Sequence, residues 1–299
     1  MNLRILHLYE PTPDSPFLSA QAAANHWLPA ALRARDHEVV ARPLALTPPE
    51  TLRELAPHFD VVHAFGSGDL QEAAGAPVLQ TLYRDGAASA TQVALSWRQA
   101  RAARIPPAAV VPTAIPTEQV ETPPAHGDHL ATVYRDGDER ALRDALAVAH
   151  SAERELVVLH SVGQAPPASS PLMRLVAVRP EDPPAELLTA AACLSFGGAP
   201  ADAAAVTALA AGVPVLTLEG LAAAETIVSG ESGFVCASVD EAKRAVERLE
   251  LLNPRMARVR ARTLFDVDSA AAQLERVYAS VARGERPSFR HPEPVLAVR

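Results

Sequence analysis

The feature that most constrains this chain is an alternation sustained over nearly all of its 299 residues: apolar runs too short for helices, separated by longer stretches with helical spacing. Leu3 to Leu8 is the first such run, and residues 19–35 follow with Ala22, Leu28 and Leu32 at helical intervals. Val39–Val40, Asp60 to Phe65, Ala76 to Leu79 and Ala109 to Val111 continue the series as second to fifth strands. These runs are apolar at successive positions, so both faces of each strand need cover. That is the pattern of a parallel sheet with helices on both sides.

The pattern then breaks and restarts. Residues 112–129 hold four prolines, little apolar content and no periodicity, which is linker chemistry. Beyond them, strands are expected at 130–134, 155–161, 173–178, 193–196, 213–218 and 233–236. Helices are expected near 138–150, 184–191, 202–211, 222–229, 239–251 and 267–283. The expected fold is α/β, with two doubly wound, Rossmann-like halves. The first spans 1–112, the linker 113–129 and the second half 130–266, followed by a helix at 267–283 and a proline-rich tail from Gly284 to Arg299.

Several function classes drop out. The net charge of −8 argues against a broad basic footprint for nucleic acid. No apolar stretch approaches the roughly 20 residues of a membrane helix, and the first residues lack a signal-peptide core, so a soluble, cytoplasmic protein is expected. Arginine dominates the basic residues, with Lys243 the single lysine, which fits a GC-rich bacterial genome. Cys193 and Cys236 lie in apolar runs and are expected as buried free thiols. There is no G-x-G-x-x-G after the first strand, no phosphate-binding G-x-x-x-x-G-K-[ST] and no G-x-S-x-G elbow. His126-Gly127-Asp128-His129 sits in the linker without a further metal ligand nearby and reads as solvated loop.

The ordered phrases of the chain carry a resemblance. Leu32-Arg33-Ala34-Arg35-Asp36-His37-Glu38-Val39 resembles the L-x-x-R-G-H-E-V helix exit of family-four retaining glycosyltransferases, which have the GT-B fold. Asp60-Val61-Val62-His63-Ala64 is similar to their D-V-V-H-x-H, and Ala76-Pro77-Val78 through Thr81-Leu82-Tyr83 to P-V-V-x-T-x-H. Val110 to Ile115 stands where they have V-I-P-N-G-V, and Val133-Tyr134-Arg135 matches V-G-R. Ala208 to Val215 matches A-M-A-x-G-x-P-V, and Glu225 to Val235 resembles E-I-V-x-x-G-x-x-G-x-L-V. The phrases run in family order from about residue 3 to 278.

The resemblance implies a cleft between the halves, with the helix at 267–283 packed back on the first. It implies a nucleotide diphosphate-sugar, UDP- or GDP-linked, as co-substrate, with no cofactor or metal and an unidentified acceptor. Arg135 and Arg140 would face the donor diphosphate, and the alternative for both is a solvated arginine at a helix start. Gly197-Gly198 would offer amides at a strand end, or form a plain tight turn. Glu225 would accept ribose hydroxyls, or merely end a helix. Thr207 is placed on the donor side, and Ser19 and His63 on the acceptor side.

The departures from the family pattern are specific. Leu18-Ser19 replaces a Gly-Gly loop, where side chains would crowd a phosphate or acceptor. Tyr83 replaces the histidine of T-x-H, and the E-x7-E carboxylates fall on Ala199 and Thr207. Asp202 is the nearest acid left to compensate, if it does more than cap its helix, so Tyr83 and Asp202 are the catalytic candidates. Two readings therefore stand: a metal-independent, retaining glycosyltransferase, or a catalytically silent relative that binds a nucleotide-sugar or a protein partner.

Overall fold

The computed structural model describes residues 2–66, 70, 76–81, 91–103, 106–135, 137–167, 170–199, 202–285 and 287. In the first half the strands are β1 (Arg4–Tyr9), β2 (Glu38–Pro43), β3 (Val61–Phe65), β4 (Val78–Thr81), β5 (Thr91–Ala94) and β6 (Ala109–Val110). They form one sheet in the order β2-β1-β3-β4-β5-β6. The second half contributes β7 (Leu130–Val133), β8 (Leu156–Ser161), β9 (Met173–Val178), β10 (Ala192–Ser195), β11 (Val215–Leu218) and β12 (Gly233–Cys236). Their order is β12-β11-β10-β7-β8-β9. All pairings in both sheets are parallel. The two doubly wound, Rossmann-like sheets expected from the alternation are present.

β5 was not expected. Its sequence, Thr-Gln-Val-Ala, opens on two polar residues and forms no apolar run, yet Gln92 and Val93 are buried between β4 and β6. Among the helices, 239–251 is interrupted: Val239–Val246 is helical and Leu249–Leu251 only a tight turn. The stretch 222–229 yields one turn, Ala222–Glu225, and 184–191 yields Ala185–Leu188. An arginine-rich helix, Pro254–Leu264, also went unforeseen, since it buries only Ala257 and Ala261 and so lacks a strong apolar stripe.

Each sheet has one switch point, where strands are added first to one side and then to the other. It lies between β1 and β3 in the first sheet and between β7 and β10 in the second. Loops leaving the carboxyl ends there diverge and open a crevice, the usual ligand position in such sheets.

The halves are tied together at Asp266. Its carboxylate accepts from the Thr117 amide at 3.1 Å and hydroxyl at 2.5 Å, and it caps the helix Val267–Ala282 through Asp268 N at 3.0 Å. That helix packs into the cluster of the first sheet, with Leu3, Leu28, Leu32 and Val61. Cys193 and Cys236 are buried free thiols. Among the described residues no helix is long and apolar enough to cross a membrane, and no three His, Cys, Asp or Glu residues are grouped to hold a metal.

Candidate active site

The switch point of the second sheet gathers several of the residues singled out in the sequence. β7 and β10 pair in register at Leu130–Ala192 and Ala131–Cys193, so the segments leaving their carboxyl ends lie side by side. Arg135 follows β7 and Gly197-Gly198 follow β10. A Cβ on Gly197 would stand 2.9 Å from Asp138 Oδ2 and 3.7 Å from Arg135 Nη1, which shows how closely the three approach. The Gly198 amide donates to the Asp138 carboxylate. Burial raises the Asp138 carboxyl above its ordinary range; Arg135 and the Gly198 bond oppose that rise, while the Asp202 and Glu139 charges add to it.

Asp202 organises the same corner. Its Oδ1 accepts from Ala204 N at 3.0 Å and Ala205 N at 3.3 Å, capping the helix Ala203–Ala211, and receives Arg135 Nη2 at 3.4 Å. Its Oδ2 accepts from the Ser195 hydroxyl. Both oxygens are thus committed, and Asp202 acts as a positioning residue for Arg135. Arg135 Nη2 also donates to the Leu18 carbonyl at 2.8 Å, and the fully buried Thr207 hydroxyl donates to the Phe17 carbonyl at 2.7 Å. Both acceptors belong to the loop that follows β1 in the other half.

No protein-family model matches the chain, and no curated protein matches it. Solved structures do. A glycosyltransferase involved in avilamycin A biosynthesis, AviGT4, superposes at TM-score 0.68 with 18% identity, covering 94% of this chain and 98% of that one. Sucrose-phosphate synthase from Thermosynechococcus elongatus gives 0.67 at 14% identity, over 94% and 100% of the two chains. Anabaena HepE in complex with UDP-glucose gives 0.67 at 13% identity, over 93% and 100%. The chain has the GT-B fold.

Within this GT-B frame the remaining candidates separate. Glu225 reaches across the cleft: its Oε2 accepts from Trp97 N and its Oε1 from Arg98 N, both at 2.6 Å, with Arg101 Nη2 at 3.2 Å from Oε1. It clasps the start of a helix of the first half, Trp97–Ala102. Arg260 holds the carbonyls of Glu225 and Thr226 at 3.1 and 3.0 Å, and burial lowers its pKa from the usual arginine range. Between these groups lies a cavity of about 240 Å³, lined by Ser96, Thr113, Asp202, Glu225, Arg260 and Phe265 among others. The Thr113 hydroxyl beside it is buried and has no hydrogen-bond partner among the described residues.

Two candidates stand outside the crevice. Arg140 has a side chain 90% exposed and, among the described residues, pairs with Asp144 at 3.8 Å, the geometry of a solvated helix arginine. His63 is fully buried: Nδ1 meets the Tyr278 hydroxyl at 2.6 Å and Nε2 the Thr81 hydroxyl at 2.8 Å, so both ring nitrogens serve the core of the first half rather than an acceptor. Ser19 caps the helix Ala20–Arg33 through Ala22 N. Tyr83 lies outside the described residues. Asp138, Arg260, Thr113 and residues 14–17 were not singled out from the sequence, whereas Leu18-Ser19 was, by its bulk where the family keeps glycines.

Proposed function

We propose that the chain is a glycosyltransferase that takes sugar from a UDP- or GDP-linked donor and passes it to an acceptor without a metal ion, retaining anomeric configuration. The observation that carries this reading is Arg135, a guanidinium set by Asp202 at the switch point of the second sheet, beside Gly197. When the bond from the anomeric carbon to the diphosphate breaks, negative charge grows on the departing phosphate oxygen. A fixed cation at the strand end stabilises that charge without reorganising during the reaction. The Anabaena protein solved with UDP-glucose supports the donor class.

A second reading has its own observation. Ala199 and Thr207 supply no carboxylate, and both oxygens of Asp202 are engaged in positioning. That favours a silent relative, able to bind a nucleotide-sugar without transferring it. Incubation with labelled UDP- and GDP-sugars separates the two. The transferase reading expects nucleoside diphosphate release above the protein-free blank, abolished in Arg135→Ala. Donor binding without release selects the silent relative, and absence of both binding and release overturns the transferase and leaves the silent relative only a protein partner.

A further inference from the structure

We propose that residues 14–19 form an intramolecular plug seated where the donor would bind, so that nucleotide enters only by displacing them. The inference rests on the donor reading above. The segment leaves the switch point of the first sheet and meets the carboxyl-end side of the second half at three hydrogen-bonded positions, one of them at the end of β8. The Leu18 carbonyl takes Arg135 Nη2 at 2.8 Å, the Phe17 carbonyl takes the Thr207 hydroxyl at 2.7 Å, and Asp14 Oδ1 takes the Ser161 hydroxyl at 2.5 Å. Arg135 and Thr207 are two of the side chains the sequence assigns to the donor. Arg135 Nη2 is divided between the neutral Leu18 carbonyl and the Asp202 carboxylate, and the Thr207 hydroxyl goes to the neutral Phe17 carbonyl.

The plug is packed as well as bonded. Leu18 is 4% exposed and shares one apolar cluster with Ala204, Ala205 and Ala208 of the opposite half, with Phe17 packed against it. Ser15 is fully buried, and its carbonyl accepts from Leu18 N and Ser19 N, each at 3.0 Å, which closes the segment into a tight turn. Phe17 also meets Trp27 edge-on, with ring centroids 5.0 Å apart. A glycine pair at 18–19 could make no such apolar seat. Leu18 therefore converts a loop that would leave room for phosphate into one that fills the space.

The chemistry also says what opens it. A guanidinium binds a charged phosphate oxygen more strongly than a neutral carbonyl. A nucleoside diphosphate therefore competes with the plug through Arg135, whereas a nucleoside has no group with which to do so.

The test is calorimetry with UDP and GDP on the wild type, Leu18→Gly and Asp14→Ala, with circular dichroism to confirm folding. Emptying the apolar seat or removing the acceptor of Ser161 should tighten binding of the preferred nucleotide, by about tenfold for Leu18→Gly. Should Leu18→Gly fail to fold, Asp14→Ala carries the comparison. Hydrogen exchange on the wild type gives a second readout: amides of residues 14–19 should exchange faster when nucleotide binds. Equal affinity in all three proteins, with exchange at 14–19 unchanged on binding, overturns the plug and leaves the donor reading standing. Binding of neither nucleotide to any of the three overturns the donor reading and the plug with it.

Discussion

His7 is buried with neither ring nitrogen hydrogen-bonded among the described residues, and its ring stacks on Phe65 at 4.4 Å between centroids. Burial, and then the charge of Arg33, push its pKa down to about 3. The unfolded chain protonates this imidazole near its ordinary value of about 6.5. Between those values the unfolded state holds more protons, so His7 makes stability fall as pH drops through that window. Replacing it by leucine removes both the titration and the unpaired nitrogens. His7→Leu should gain about 1–2 kcal/mol at pH 7 and lose stability less steeply toward pH 4, measured by urea titration at several pH values. A variant less stable than wild type at pH 7, or one with an unchanged acid slope, would contradict this. His63, its neighbour, marks the limit of reading single residues from sequence. A histidine in an apolar strand looks the same whether it faces a cleft or a core. Here the decision belongs to Tyr278, 215 residues away, whose hydroxyl only the folded chain brings to the ring.

Among the elements, the helix Ala203–Ala211 matters most to the site. All of its residues are buried, so the first-turn amides that lack an intrahelical partner are shielded from water and depend on Asp202. Asp202→Ala removes that cap, the acceptor of the buried Ser195 hydroxyl and the partner of Arg135. It should cost about 2–3 kcal/mol in urea unfolding. Asp202→Asn keeps a capping oxygen and should recover about 1 kcal/mol of that loss, but it carries no charge to set Arg135. Equal stability of the alanine variant and the wild type would show that the cap is idle. The sequence made this helix easy to find, because an alanine-rich run ends at Gly212, which takes the left-handed φ of 88° that closes a helix. Gly233 was equally legible as a family phrase. Its reason is physical: a Cβ there would lie 2.0 Å from the Val215 carbonyl of the paired strand. β5 and the helix Pro254–Leu264 were hidden for the opposite reason. β5 is placed by the strands on both sides of it, and the helix buries only Ala257 and Ala261, so neither carries a strong apolar pattern of its own.

At the scale of the whole molecule, the two sheets could be read because burial on both faces writes itself as continuous apolar runs, and the proline-rich break marks where the first set ends. The relation between the halves could not be read that way. It is built from single contacts across the cleft: Glu225 on the Trp97 and Arg98 amides, Asp14 on Ser161, and Arg135 and Thr207 on the carbonyls of Leu18 and Phe17. No periodicity encodes such pairs. Arg135 at the switch point of the second sheet is the proposed diphosphate site. The most direct measurement is calorimetry of UDP, GDP, uridine and guanosine with the wild type and Arg135→Ala. Losing a charge-assisted bond of about 1.5–3 kcal/mol weakens a nucleoside diphosphate by roughly 10- to 150-fold. Because the same substitution frees the Leu18 carbonyl, the loss should fall toward the lower end of that range, while nucleoside binding stays within about twofold. Equal losses for diphosphate and nucleoside, or an unchanged diphosphate affinity in the variant, would contradict the account.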